Sequence, residues 1–369
     1  MRRSSLWLVL CLLCVAMAHA DTPTPDAAAV FRTAQRIVTT DGLDQQQKLR
    51  IGGIDQWVTV RGRHRDAPIL LFLHGGPGFT SLPTRYYYQV QWEEYFNVVQ
   101  WDQRGAGKTY ALNDAERIRP GMTIERMVDD AEELVSYLRK TYGRQKIVLV
   151  GHSWGTVLGV KLAQRHPDWF YAYVGMGQVV DMPRSEAMGY AATLQAARDD
   201  GNQQAVAELE SIAPFPDPAS PKRTLANLEK ERHWLTYYNG YTWHAQEGHD
   251  GDVAQLSPDY SAADLKARLQ GMDFSLGALW EPLSKVSFAH STHFDCPVVL
   301  MQGRHDLNTS ASLLGEWFKT LDAPSKQLVW FDDSAHMLFE EESGKVFVHL
   351  VEDVLPLTHP PQETRAHKP

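Results

Sequence analysis

The chain has 369 residues, 43% hydrophobic and 22% charged, enough to bury one large core and still carry an insertion. Its formal charge of −9 argues against nucleic acid or anionic lipid as a partner. Only three cysteines are present, and Cys11 and Cys14 lie near the start, so no disulfide framework is expected.

Residues 1–20 read as a signal peptide. Arg2 and Arg3 form a basic head, Leu6 to Met17 form a short apolar body, and Ala18-His19-Ala20 puts small residues at −3 and −1 of a cleavage site after Ala20. The apolar body is too short to span a bilayer. Leu precedes both Cys11 and Cys14, which disfavours lipid attachment, and Ser4 and Ser5 favour general secretion over twin-arginine export. Cleavage removes two arginines and no acid, taking the charge from −9 to −11, and leaves Cys296 alone. The expected address is therefore export, periplasmic or secreted, with no stable membrane insertion after cleavage.

From about 55 to 177 strands and helices alternate. Gln56 to Val60, Pro68 to Leu73, Phe96 to Trp101, Lys146 to Val150 and Tyr171 to Met176 read as strands, most of them too apolar to face water on either side. Thr123 to Tyr142 reads as a capped helix with Met127, Ala131, Leu134 and Leu138 on one stripe. Between 178 and 292 no strand pattern recurs. That stretch is helical, polar and rich in aromatics, and reads as a lid inserted into the core. Strand and helix alternation returns with Pro297 to Gln302, a helix from Ala311 to Leu321, a strand from Lys326 to Phe331 and a last helix near Gly344 to Val354. The predicted organisation is a core of 21–177 and 293–357, a helical lid of 178–292 and a flexible tail of 358–369. The core is a mostly parallel sheet with helices on both faces.

Gly151-His152-Ser153-Trp154-Gly155 stands between a strand and a helix, the context of a nucleophile elbow, where flanking glycines permit the sharp turn that exposes a serine. A serine hydroxyl needs a base, a group to orient that base, and donors for the oxyanion. The strand ending at Gln302 leads to Asp306, and the strand ending at Phe331 leads to His336, so all three groups fall at carboxyl ends of strands. Asp332 and Asp333 lie closer to His336 in sequence and compete with Asp306 for the orienting role; a turn position suits them better. The order Ser153, Asp306, His336 is that of the α/β-hydrolase fold, and the 152 residues between Ser153 and Asp306 leave room for the lid. His74-Gly75-Gly76-Pro77-Gly78 follows another strand and supplies one oxyanion donor, assigned to Gly76 with Gly75 as the alternative. The N–H of Trp154 supplies the second.

Two other patterns compete with these. Gly105-Ala106-Gly107-Lys108-Thr109 imitates a phosphate loop, but Asp102 stands where its first glycine belongs, so nucleotide binding is rejected. His290 and His293 lack a third nearby ligand, and neither a metal nor another cofactor is expected.

His74-Gly75-Gly76-Pro77-Gly78, Trp101-Asp102-Gln103-Arg104-Gly105-Ala106-Gly107-Lys108-Thr109 and the serine pentapeptide together resemble the prolyl aminopeptidase (proline iminopeptidase) family of α/β-hydrolases, over roughly 50–177 and 293–355. Thr109 departs from the serine usual in that family. The resemblance implies that the Asp-Gln-Arg-Gly segment braces the floor of the site. It also implies that lid carboxylates hold a free α-ammonium beside an apolar pocket. Seven lid glutamates are available: Glu186, Glu208, Glu210, Glu229, Glu231, Glu247 and Glu281. The run Leu225 to Trp234 is the best candidate segment, which nominates Glu229, Glu231 and Trp234 for substrate binding, although a solvated helix face explains the same charges.

The expected activity is hydrolysis through an acyl-enzyme on Ser153, with small peptides bearing a free N-terminal residue, proline first, as substrates. An ester or lactone is the alternative, and a non-catalytic binding protein the remote one. Oligomeric state is not legible from the chain.

Overall fold

The computed structural model describes residues 26–244 and 249–359. The predicted signal peptide lies outside them, as does the predicted tail apart from Thr358 and His359.

Eight strands form one sheet: β1 (Leu43–Ile51), β2 (Ile54–Gly62), β3 (Ile69–Leu73), β4 (Asn97–Asp102), β5 (Ile147–His152), β6 (Phe170–Met176), β7 (Val298–Gly303) and β8 (Lys326–Phe331), in the order β1-β2-β4-β3-β5-β6-β7-β8. The first two pairings, β1 with β2 and β2 with β4, are antiparallel, and the rest are parallel. The central strands alternate between two cores, as a sheet covered on both faces must. Ile69, Leu71 and Leu73 pack on one side with Ile147, Leu149, Val298 and Leu300. Leu70 and Phe72 pack on the other with Val148, Val150, Val299 and Met301.

The helices that matter here are α1 (Ala27–Ala34), α2 (Ile124–Thr141), α3 (Trp154–Arg165), α4 (Met182–Asp199), α5 (Gln203–Ser211), α6 (Pro221–Tyr237), α7 (His249–Gln255), α8 (Ala262–Leu283) and α9 (Ala311–Thr320). In α2, Thr123 accepts from the Arg126 N–H at 3.1 Å and the predicted stripe from Met127 to Leu138 is buried. Helices α4 to α8 lie between β6 and β7 in sequence. All but α7 share a small core, in which Leu209, Phe215, Trp234 and Trp280 pack together.

Two elements go beyond the sequence reading. Strand β1 is an edge strand with its ends buried and most of its middle open, so Gln45, Gln46 and Gln47 obscure its alternation. Helix α1 ties the N-terminal segment across the molecule, with the Arg32 guanidinium donating to the Pro258 carbonyl at 3.0 Å and Phe31 packing on Tyr86.

Register brings the site together. Leu73 pairs with Gly151, Met176 with Met301, and Gly303 with Phe331, so β3, β5, β6, β7 and β8 finish at one edge of the sheet. The segments that follow them carry Gly76, Ser153, Asp306 and His336.

Candidate active site

Ser153 sits in a left-handed backbone conformation, φ 52° and ψ −122°, between β5 and the first residue of α3. Such a conformation costs a non-glycine residue of order 1–3 kcal/mol and persists only where its surroundings enforce it. Here the Ser153 N–H donates to the Met176 carbonyl at 3.0 Å and its carbonyl accepts from the Thr156 N–H at 2.8 Å. Gly155 makes the turn possible, because a Cβ there would lie 2.0 Å from the Leu73 carbonyl oxygen.

The candidate base and its orienting acid are in contact. His336 Nδ1 donates to Asp306 Oδ2 at 2.8 Å, and both side chains are essentially fully buried. Asp306 also accepts from the Gln302 amide at 2.8 Å, the Thr309 hydroxyl at 2.7 Å and the Thr309 N–H at 2.8 Å. Burial pushes its carboxyl up, but His336 and the Thr309 donors outweigh it and hold the group below the usual carboxylate range. An ionised Asp306 fixes the His336 proton on Nδ1 and leaves the Nε2 lone pair toward the cavity. Asp332, the sequence competitor, instead faces Arg304 on the surface. His293 is held by Asp322 and Asp295, also at the surface.

Gly76 adopts φ 114°, and a Cβ there would strike the Phe79 nitrogen at 2.5 Å, so the loop tolerates only glycine at this point. Both Gly76 and Trp154 line the cavity with Ser153 and His336. Among the described residues neither backbone N–H donates to a protein acceptor, which leaves both available to a ligand. The Asp-Gln-Arg-Gly segment lies beneath. Gln103 donates to the His74 carbonyl at 3.1 Å and accepts from the Trp154 indole at 2.9 Å, joining the glycine loop to the elbow. Arg104 pairs with Asp130 at 2.8 Å, and Thr109 accepts from the Trp57 N–H at 2.8 Å, the interaction a serine would also make.

Histidines 74 and 152 were not singled out from sequence. His74 donates from Nδ1 to the Gly75 carbonyl at 2.8 Å and accepts at Nε2 from the Gln103 N–H; His152 bonds the His336 carbonyl at 3.0 Å. Burial lowers the first to about 4 and the second to about 3, so both are neutral struts under the site. Gln302 and Thr309 were missed as well. A polar residue closing an apolar strand was the available signal for Gln302, and Thr309, three residues after Asp306, had none.

The cavity measures about 690 Å³ and is roofed by α4, α6 and α8. On α6, Leu225, Leu228, Glu229, Arg232 and Thr236 line it, spaced as one helical face. That spacing corrects two of the three lid assignments. Trp234 lies nine residues from Leu225, half a turn away, where its ring packs in the lid core and its indole donates to Glu208 at 3.0 Å. Glu231 is fully buried behind the wall and pairs with Arg232. Glu229 does reach the cavity. The structure adds Glu186 of α4, which lines the cavity, is 3% exposed, pairs with Arg232 through one oxygen and leaves the other without a partner. As one of seven lid glutamates it carried no distinguishing mark in the sequence.

A strap of lid chain runs against the core loops. The Gly240 carbonyl accepts from the Leu307 N–H at 3.0 Å and the Tyr241 carbonyl from the His336 N–H at 2.9 Å. The Glu341 carboxylate then accepts from the N–H of Trp243 and from that of Ala335. Burial raises Glu341 to about 7, and burial together with the Asp250 charge raises neighbouring Glu340 to about 8. Folded protein therefore holds protons that the unfolded chain, with ordinary carboxyls near 4.5, has released. The two buried histidines oppose this trend up to about one pH unit above their ordinary value of 6.5, and above about pH 7.5 they are neutral folded or unfolded, so only the raised acids contribute. The melting temperature should fall above about pH 7.5, through the range in which Glu340 loses its proton, and Glu340→Gln should flatten that fall. A melting temperature that rises across this window would overturn the assignment.

Taken together, fold and site define a class. The chain belongs to the alpha/beta hydrolase fold family, whose model matches residues 68–343. It is 30% identical over 299 residues to a Bacillus subtilis (strain 168) protein named Probable aminopeptidase YbaC, covering 80% of this chain and 92% of that one. It is 24% identical over 327 residues to a Proline iminopeptidase of Neisseria gonorrhoeae, covering 84% and 95%. Among solved structures, a proline iminopeptidase-related protein from Thermus thermophilus superposes with a TM-score of 0.60 at 18% identity, over 85% of this chain and 99% of that one, a likeness of fold. The expected fold class and family resemblance are both borne out.

Proposed function

We propose that this hydrolase is a serine aminopeptidase that releases an N-terminal residue, proline preferred, from short peptides. The observation that carries the reading is a buried carboxylate–imidazole pair sharing a cavity with a strained serine, under a lid wall that presents Glu186. Ser153 Oγ attacks the substrate carbonyl while His336 Nε2 takes its proton, and Asp306 stabilises the imidazolium. The N–H groups of Gly76 and Trp154 receive the oxyanion. His336 then protonates the leaving amine, and water activated by the same nitrogen releases the free residue.

The unpartnered oxygen of Glu186 offers an acceptor for an α-ammonium, and Glu229 adds negative charge nearby. The ester reading keeps one observation on its side: Arg232 already pairs with Glu186, as it does with Glu231 behind the wall. Hydrolysis of prolyl-β-naphthylamide, its N-acetylated form and p-nitrophenyl acetate separates the two. The aminopeptidase reading expects strong preference for the free prolyl amide. It also expects Glu186→Gln to lower kcat/KM on that substrate by about 10- to 100-fold, the worth of one charge-assisted hydrogen bond, with little change on the ester. Equal rates on free and acetylated amides would eliminate it. The reading places the enzyme outside the cytoplasm, on the strength of residues 1–20; comparing the N-terminus of the exported protein with Asp21 tests this.

A further inference from the structure

Ser153 Oγ makes no hydrogen bond among the described residues, although its proposed base shares the cavity. The nitrogen that would take the serine proton has another partner. Asn308 Nδ2 lies 3.1 Å from His336 Nε2. Because Asp306 fixes the ring proton on Nδ1, Nε2 is an acceptor and the Asn308 amide is its donor. The lone pair that must take the Ser153 proton is thus engaged by a side chain that itself lines the cavity and is partly exposed to it.

The surroundings of Asn308 hold it there. Thr309, next in sequence, donates from both its N–H and its hydroxyl to Asp306, which fixes the turn. Leu307, before it, is bonded to the lid strap at Gly240. Asn308 therefore stands between the orienting acid and the lid, with its amide on the base.

We propose that Asn308 is a positioning residue that latches His336 away from Ser153 until a bound substrate displaces its amide. This rests on Ser153, Asp306 and His336 being the reacting groups. The latch keeps the serine un-ionised in the empty cavity, and a ligand reaching Asn308 frees the base at the moment when an acyl group is in place.

The test uses diisopropyl fluorophosphate, which needs an activated serine but no lid recognition. Ser153 Oγ bonds to phosphorus, fluoride leaves, and the hydroxyl proton passes to His336. Labelling rates at Ser153 are read by intact mass on the folded mature protein. Asn308→Ala removes the donor and should raise the rate about three- to tenfold, the equivalent of one neutral hydrogen bond. Asn308→Leu reads the same arm if the alanine variant does not fold. Asn308→Asp replaces the donor by an acceptor, favours a proton on Nε2, and should lower the rate tenfold or more. Opposite signs support the latch. Unchanged rates, or changes of the same sign in donor-free and acidic variants, would overturn it while leaving the triad standing. Wild-type protein that is not labelled at Ser153 would overturn the latch and the triad together.

Discussion

Ser153→Ala should abolish turnover of every substrate the protein accepts, lowering kcat by about 10⁴- to 10⁶-fold with substrate binding and folding nearly unchanged. The structure makes this a clean substitution. Alanine tolerates φ 52° no worse than serine, the backbone bonds to Met176 and Thr156 do not involve the side chain, and the lost hydroxyl leaves no partner stranded. Steady-state kinetics beside a thermal melt checks both halves. Retained activity in the folded variant would refute acyl transfer to Ser153.

Asp306→Asn should cost about 10⁴-fold in kcat/KM. Asp306 receives four donors on two oxygens: His336 Nδ1, the Gln302 amide, and the hydroxyl and N–H of Thr309. An asparagine must turn its NH₂ toward at least one of them. If it faces His336, the imidazole proton moves to Nε2 and the ring can no longer accept from Ser153; if it faces Thr309, a buried donor loses its acceptor. Stability should therefore fall as well, and the melt separates that loss from the kinetic one. A folded Asp306→Asn variant within tenfold of wild type would mean that another group orients His336. Asp332 is a poor substitute, since it is exposed and paired with Arg304.

Much of this was legible in the chain for a physical reason. Strands buried on both faces must be apolar throughout, so β3, β5 and β7 announce themselves, and the polar residues just past their ends stand out. Ser153 and Asp306 are such residues; His336 follows β8, an edge strand with Lys326 and Gln327 exposed, and stood out by its place after the final strand. Strand β1 was illegible because an edge strand needs no continuous apolar face. The lid was legible as helices but not as a wall. On α6 a rotation of 100° per residue decides whether a glutamate meets substrate or another helix, and no sequence pattern states which side the cavity is on. Glu229 lines the cavity, Glu231 and Trp234 do not, and Glu186 emerged only when α4 and α6 were seen side by side. Asn308 escaped for a related reason: its importance comes from a ring 28 residues later in the chain.

The strap from Gly240 to Trp243 sets a limit on engineering by transplantation. The helices before it, α4 to α6, pack around a small core shared with Leu276 and Trp280 of α8, so a replacement must fit those two residues. The strap cannot be replaced, because its carbonyls and one N–H are joined to Leu307, His336 and Glu341. A chimera that imports a foreign lid across both would replace the cavity wall and unpin the loops that carry Asp306 and His336 in one cut. A graft that ends at Asn239 and retains residues 240–243 as native scaffold would change what is recognised and leave the chemistry where it is.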